Sequence, residues 1–557
     1  MRRLLPALGL GLCLAVPAPA QAPMTAIDSA RHVLNRLAYG ASPGQIEAIA
    51  HDGVLKWVDR QLGFSDVHDP ALSDLERSYD VLQMSRFDMQ ELQQNNQAKV
   101  QRAQAIGDST ARQKMLDQVR MEQQGDRRSL QAMIGQLQTI TMARAVASDR
   151  QLDEILADFW TNHFNVFINK GQDRAYFADY LEKTIRGHAL GRFEDILVAT
   201  AKSPAMLFYL DNAESVAEGS DALLAAGRAG RGGRGIFPNP RPGVFPPNPV
   251  DPMSPAVRQA AQQARAPKGL NENYARELME LHTLGVDGGY TQKDVIAVAR
   301  ILTGWTIDRR NASYIFRDPV HDNLPKVVLG QKFDGAHAED EGMRLLRMLA
   351  SEPATMHHVS AQLCARFVSD VAPDGCIDDA VHAWKKSNGD IREVVRAIIH
   401  SPDFWAAGNV QSKVKTPLEF VASALRAVGA LPDSTPRIAQ RVAQLGEPLF
   451  QHATPDGYGE RQQDWVNSGA LLARMNFAVQ LASGRMPGAT VNLDNVVPLT
   501  DDHAALVAAV DKTVLGGLMS SQTRQTILKE IADVPDARMA RALAVGFAIG
   551  GPEFQRQ

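Results

Sequence analysis

The sequence predicts a mainly α protein: a multi-helix globular fold with one small β-hairpin, a helical-hairpin insertion and a disordered Gly/Pro loop. Three observations carry this prediction. Apolar residues recur at helical spacing between clear start and stop signals along most of the 557 residues. Only two short runs, Ser313–Phe316 and Lys326–Leu329, read as strands, joined through Pro319-Val320-His321-Asp322. One stretch, 213–268, changes composition abruptly, with Gly230-Arg231-Gly232-Gly233-Arg234-Gly235 followed by seven prolines between Pro238 and Pro252. Such a segment buries too little apolar surface to offset its ordering entropy.

The elements follow in chain order. Met1-Arg2-Arg3, the apolar Leu4–Val16 and the small-x-small pattern Ala20-Gln21-Ala22 form a secretory signal peptide, 1–22, with cleavage expected after Ala22. The protein is therefore expected to be periplasmic or secreted. No later stretch reaches about 18 apolar residues, so no transmembrane segment is expected after cleavage. Losing Arg2 and Arg3 takes the formal charge from −4 to −6. That charge is spread without a long block of one sign, which argues against nucleic acid as a partner. The remaining chain, about 535 residues, suggests more than one domain or one large elaborated domain, and 45% hydrophobic residues can build a substantial core. Cys364 and Cys376 are the cysteines left in an oxidising address, and a disulfide closing that short loop is expected.

Residues 27–62 read as two helices around Gly40-Ala41-Ser42-Pro43-Gly44, with Ser42 as cap and Pro43 at the first helical position. The Gln-rich tract 72–147 has few turn signals and predicts an antiparallel, solvent-exposed helical hairpin. Residues 149–210 return to compact patterning. After the 213–268 loop come a helix over 271–285, a helix opened by a Thr291/Asp294 capping box, the small hairpin and then a run of helices. These are expected near 340–350, 355–370, 377–385, 390–400, 416–429 and 435–445, with two or three more in the tail.

The stretch Asn271–Gly285 concentrates the chemistry. It reads as a helix capped by Asn271 and ended by Gly285 in the left-handed conformation. At about 100° per residue, Asn273, Glu277 and Glu280 share one face, bordered by the apolar stripe Tyr274, Leu278 and Leu281. Arg276 stands between Glu272 and Glu280 at i,i+4 spacing. His282 projects roughly 140° from Glu277 and cannot join that cluster from the same helix.

Several stretches resemble the DUF1800 family of large exported bacterial proteins. They include His32-x-Leu34-x-Arg36-x-x-Tyr39-Gly40, Trp160-x-Asn162-His163-Phe164 and the whole of Asn271–Gly285. Gly289-Tyr290-Thr291, Ala299-Arg300-x-Leu302-Thr303-Gly304-Trp305 and His321-Asp322 resemble it too, as do Lys413-Val414-Lys415-Thr416-Pro417, Asp456-Gly457-Tyr458 and Pro552-Glu553-Phe554. The likeness runs from about residue 27 to the C-terminus, so that 23–557 reads as one DUF1800-like helical domain with insertions at 72–147 and 213–268. The resemblance implies export, a largely helical fold and an undefined function. It also implies a partner of the DUF1501 type, whose genes often neighbour those of the family.

Glu277 and Glu280 suit acid–base roles or a hard divalent cation, the candidate cofactor, although no metal ligand set is defined. The catalytic candidates are Glu277, Glu280, His163, Arg276 and Arg300. Asn273, Asp211, Asn212, His321, Asp322, Tyr290 and Trp305 are candidate substrate-binding residues. Glu-x-x-Glu departs from the Glu-x-x-His of di-iron bundles. His-Glu-x-x-His, Cys-x-x-Cys, Gly-x-Ser-x-Gly and phosphate-loop motifs are missing from the sequence. The competing reading makes Glu272, Arg276, Glu280 and Arg300 an ion-pair network joining two helices, with His163 and Trp305 as core residues. Two functions follow. One is an exported hydrolase-type enzyme acting on an envelope or extracellular polymer. The other is a non-catalytic envelope binding or assembly protein working with a DUF1501-type partner on a polymeric or small-molecule ligand.

Overall fold

The structure is a computed structural model that describes residues 24–63, 69–125, 129–220 and 269–557. The predicted leader and the predicted loop from residue 221 onward lie outside the described residues. Within them, 62% of the protein is helical, in 26 helices with a few short antiparallel strand pairs. No described helix is long and apolar enough to cross a membrane.

The first helices, Ala26–Leu37, Gln45–Asp52 and Val54–Leu62, fold back on one another. The second begins at Gln45 and not at Pro43, because Gly44 takes the left-handed conformation (φ 76°) and resets the chain direction. His32 and Arg36 then reach the C-terminal half. His32 Nε2 bonds the Phe404 carbonyl at 2.8 Å and Arg36 Nη2 donates to the Asn409 carbonyl at 2.6 Å.

The Gln-rich tract is helical over most of its described length, with breaks at 78–79, 84–85 and 105–108, but is not uniformly exposed. Arg86–Gln104 and Ser109–Gly125 form the expected hairpin. Leu130–Ala147 instead enters the core, burying Met133, Leu137, Ile140 and Met142 among others. Apolar residues lie on every side of it, while Gln131 stays exposed and Arg144 pairs with Glu76 and Glu182. Its Gly135 packs beside Pro436, and its Val146 carbonyl accepts from Arg426 at 2.7 Å. The same guanidinium donates to the Gly40 carbonyl and to Gln45 Oε1. One buried cation thus joins three distant parts of the chain.

The β structure corrects the expected single hairpin. Ser313–Phe316 pairs with Trp305–Asp308, and Lys326–Val328 pairs with Gln331–Phe333. The two predicted strands never meet. Leu329 and Gly330 both have positive φ (48° and 79°), the requirement of a two-residue type I′ turn, so Lys326–Val328 closes on its immediate successor. The first eight residues of the predicted loop also differ from expectation. Ser215 and Val216 are buried, Ala217 N–H donates to the Val320 carbonyl, and Val216 N–H to that of Gly269.

The C-terminal half follows the sequence reading closely, with helices Ala338–Ser351, Pro353–Phe367, Asp374–Ser387, Ile391–His400, Pro417–Ala427 and Arg437–Gln444. Cys364 and Cys376 form a disulfide joining the second and third of these. Ser468–Ala482 packs on Ala537–Gly550, where Gly546 and Gly550 admit Val479 and Met475.

Candidate functional site

The central helix spans Asn273–Glu280, shorter than its sequence signals suggest. Asn271 Oδ1 accepts from the Asn273 N–H at 2.8 Å, and Gly285 is left-handed (φ 82°) where His358 crowds its Cα. Tyr274 and Leu278 enter the core; Glu277 and Glu280 stay half-buried and Asn273 exposed. Arg276 pairs with Glu272 at 3.6 Å and with Gln292 at 2.8 Å, while Glu280 accepts from the Tyr290 hydroxyl at 3.2 Å. Glu277 has no hydrogen-bond partner among the described residues. Burial raises its carboxyl, the Glu280 charge adds to that, and Arg276 opposes both.

The other predicted site residues do not converge on this pair. Arg300 turns away to a two-pronged bond with Asp322, at 2.7 and 3.0 Å, so the four-residue network with Arg276 does not form. His321 is buried, donating Nδ1–H to the Thr303 carbonyl at 2.8 Å. His163 packs among Trp160, Phe164 and Phe193 and donates Nε2–H to the His282 carbonyl at 3.2 Å. Burial holds its imidazole down at about 3, so it is a neutral core residue and not an aid to Glu277. Asn212 is fully buried and ties the Leu302 and Trp305 carbonyls; Asp211 pairs with Lys170 at 2.9 Å. Trp305 is wholly buried and edge-on to Tyr314. His163, His321, Asn212 and Trp305 are thus buried packing residues, while Asp211 is exposed and the Arg300–Asp322 pair is half-buried. Among the described residues, no three His, Cys, Asp or Glu side chains are arranged to hold a metal ion.

Three of the stretches quoted above for their resemblance do meet, at a cleft on the far side of the 452–460 loop. Helix Gln151–His163 supplies Asp158 and Asn162, the segment before helix Pro417–Ala427 supplies Thr416, and the chain from Glu447 to Trp465 closes the cleft. The loop is clamped. Asn162 Nδ2 donates to the Tyr458 carbonyl at 2.8 Å and its Oδ1 accepts from the Tyr458 N–H at 2.6 Å. Asn165 donates to the His452 and Thr454 carbonyls at 3.1 and 2.7 Å. Tyr458 donates its hydroxyl to the Pro448 carbonyl, and Trp465 its indole N–H to that of Gly459. Gly457 is required here, since it has φ 70° and a Cβ would lie 2.4 Å from Asn162 Oδ1.

With those groups committed, the polar capacity of the cleft rests with carboxyls. Asp158 has no hydrogen-bond partner among the described residues. Burial raises its carboxyl to about 7; Arg366 opposes, and Glu460 and Glu419 add. Glu447 is buried and accepts the Leu418 N–H at 2.7 Å. Burial pushes it well above the usual carboxylate range, and the Asp158 charge raises it further. Glu419 behaves oppositely. Arg366 at 2.5 Å, Gln557 and the Thr416 N–H outweigh its burial and hold it ionised. The cleft therefore pairs a protonated acid, Glu447, with a carboxylate near its titration point, Asp158, beside the Arg366–Glu419 ion pair. Its free volume, about 40 Å³, seats a water molecule or two. Neighbouring carboxyls with displaced proton affinities are the arrangement from which acid–base chemistry is built.

Asp158, Glu447 and Glu460 were not among the sequence-derived candidates. The available signal was an acid in a helix that is otherwise buried, since ionisable residues seldom enter a core without a reason. Glu447 carries no such mark, and Asp158, the carboxyl it meets in the cleft, lies nearly three hundred residues earlier in the chain. Glu277 is not isolated from this region: the Asp456 charge also raises it, and Tyr209 bonds the Ala453 carbonyl between them.

A mainly helical frame enclosing a carboxyl cleft, with buried guanidiniums as its internal ties, defines a large helical protein with an acidic cleft. The chain belongs to the DUF1800 family, whose family model, described as a protein of unknown function, matches residues 32–556. Comparison with curated proteins and with solved structures finds no match.

Proposed function

We propose that this protein is an exported hydrolase that cleaves an uncharged or amine-bearing envelope or extracellular polymer at the mouth of the Asp158–Glu447 cleft, whose interior holds the attacking water. One observation carries the reading: Asp158 is unpartnered in a cleft whose amides and hydroxyls are already committed to backbone. Glu447 would donate its proton to the leaving group while Asp158 takes one from the attacking water. The acidic surroundings disfavour polyanions as substrates. Export is supported by the leader-like N-terminus and by the disulfide, which suits an oxidising compartment. Glu277, beside the outer face of the same loop, would act at the rim and not in the chemistry.

The test is release of reducing ends or peptides from peptidoglycan sacculi, chitin, chitosan and cellulose. Wild type is expected to cleave at least one of them, and Asp158→Asn and Glu447→Gln are each expected to lose about a hundredfold in rate while remaining folded. A folded Asp158→Asn variant with wild-type turnover would sink the proposal, as would inactivity of the wild type on every polymer.

A further inference from the structure

Lys413 and Lys415 stand two residues apart in a segment bonded to the C-terminus. Gln557 N–H donates to the Lys413 carbonyl, and Lys415 N–H to the Gln555 carbonyl, both at 2.9 Å. Both side chains are buried, yet their surroundings differ. Lys413 Nζ pairs with Asp370 at 2.8 Å and bonds the Glu460 carbonyl at 3.1 Å. Lys415 makes no ion pair among the described residues, and its Nζ lies 4.2 Å from the Phe554 ring centroid. A buried ammonium without a carboxylate loses its proton readily. Burial brings this amine down to about 7, with Glu419 opposing and Arg474 adding.

The amine lines a cavity between helix Ala26–Leu37 and the C-terminal turn Pro552–Gln555. Its free volume of about 40 Å³ limits a ligand to two or three carbons. The charges around it are unevenly used. Arg31 Nη2 pairs with Asp28 at 2.9 Å, but its Nε is buried without a partner. Arg556 is exposed and has no ion pair among the described residues. Glu553 accepts on Oε1 from the Ser520 N–H and the Thr523 hydroxyl, at 3.1 and 2.7 Å, so this carboxylate is partly engaged already. Arg31 Nε and the exposed Arg556 are thus the guanidinium groups left for a ligand, and Glu553 Oε2, buried without a partner among the described residues, is the acid beside them.

We propose that this cavity is a second ligand site, where the Lys415 amine condenses reversibly with a small aldehyde or ketone bearing a carboxylate, such as a 2-oxo acid. Unprotonated Nζ attacks the carbonyl carbon and forms a C–N bond, and an Nζ proton passes to the former carbonyl oxygen. That oxygen leaves as water with the second Nζ proton, giving an imine; no oxidant or reductant takes part. The carboxylate is held by Arg556 at the mouth and by Arg31 Nε.

The experiment exposes the full-length chain to limiting glyoxylate with cyanoborohydride at pH 7.5 and maps carboxymethylated lysines by peptide mass spectrometry. Because the native chain is used, folding of a lysine variant is not at issue. Lys415 is expected to label about tenfold faster than the exposed Lys56 and Lys293. Acetaldehyde, which lacks the carboxylate, is expected to label Lys415 more slowly. Arg556→Ala should cut the glyoxylate rate about fivefold and leave the acetaldehyde rate unchanged. Labelling of Lys415 no faster than of exposed lysines overturns the site. Equal rates for the two probes, or an unchanged glyoxylate rate in Arg556→Ala, overturn its preference for carboxylates.

Discussion

The Asn162 side chain holds both backbone groups of Tyr458, donating to its carbonyl at 2.8 Å and accepting from its N–H at 2.6 Å. This side-chain amide takes the place of a β-ladder partner for a loop that has none. It fixes the wall of the acidic cleft from a residue 296 positions earlier in the chain.

Two substitutions test that clamp. Asn162→Ala leaves a half-buried donor and acceptor unpaired and is expected to lower stability by about 1–2 kcal/mol. Gly457→Ala, which forces a methyl against Asn162 at a positive φ, is expected to cost at least as much. Denaturant unfolding measures both, and the fluorescence of Trp465, bonded to Gly459, reports the loop. Wild-type stability in both variants would remove the clamp from the account.

Asp158 sets a pH dependence with a definite sign. Its folded carboxyl, raised to about 7, lies above the unfolded value of 3.8. The associated stability is therefore fully present below about pH 4 and is lost as pH rises through about 7. Asp158→Asn cannot ionise and escapes that loss. It is expected to be more stable than wild type by about 2 kcal/mol at pH 8 and indistinguishable from it at pH 4. Melting curves at the two pH values decide the matter, and a destabilised variant at pH 8 contradicts the burial argument.

Glu277→Gln separates the two readings of the central helix. An ion-pair network through Arg276 and Arg300 calls for a large loss of stability. In the structure Arg300 is satisfied by Asp322 and Arg276 by Glu272 and Gln292. The substitution is therefore expected to change stability by no more than about 0.5 kcal/mol, or to stabilise slightly through relief of repulsion from Glu280. Thermal unfolding at pH 7 checks this directly.

Much of the fold was legible because its cues are local. The Thr291/Asp294 capping box and the prolines opening Pro353–Phe367 and Pro417–Ala427 act within one or two turns, and each marks an element boundary in the structure. Where a cue was weighed wrongly, a nearer interaction won. Lys326–Val328 closed on the Leu329-Gly330 turn before it could meet Ser313–Phe316. Helix Leu130–Ala147 was grouped with its Gln-rich neighbours, although its apolar residues on every face already pointed to the core.

The candidate site was legible only in pieces. The Trp160–Phe164, Lys413–Pro417 and Asp456–Tyr458 stretches stood out as sequence, but nothing in them states that they share a cleft. Glu277 and Glu280 drew attention because helical periodicity makes neighbours three residues apart visible, whereas Asp158 and Glu447 become neighbours only after the chain has folded. The sequence by itself determined the helices, their caps and the family to which the chain belongs, since each depends on short-range geometry or on the order of residues. Tertiary structure alone decided which carboxyls are stripped of water and which are paired. Desolvation and ion pairing depend on what the rest of the chain brings alongside a residue, and not on the residues beside it in sequence.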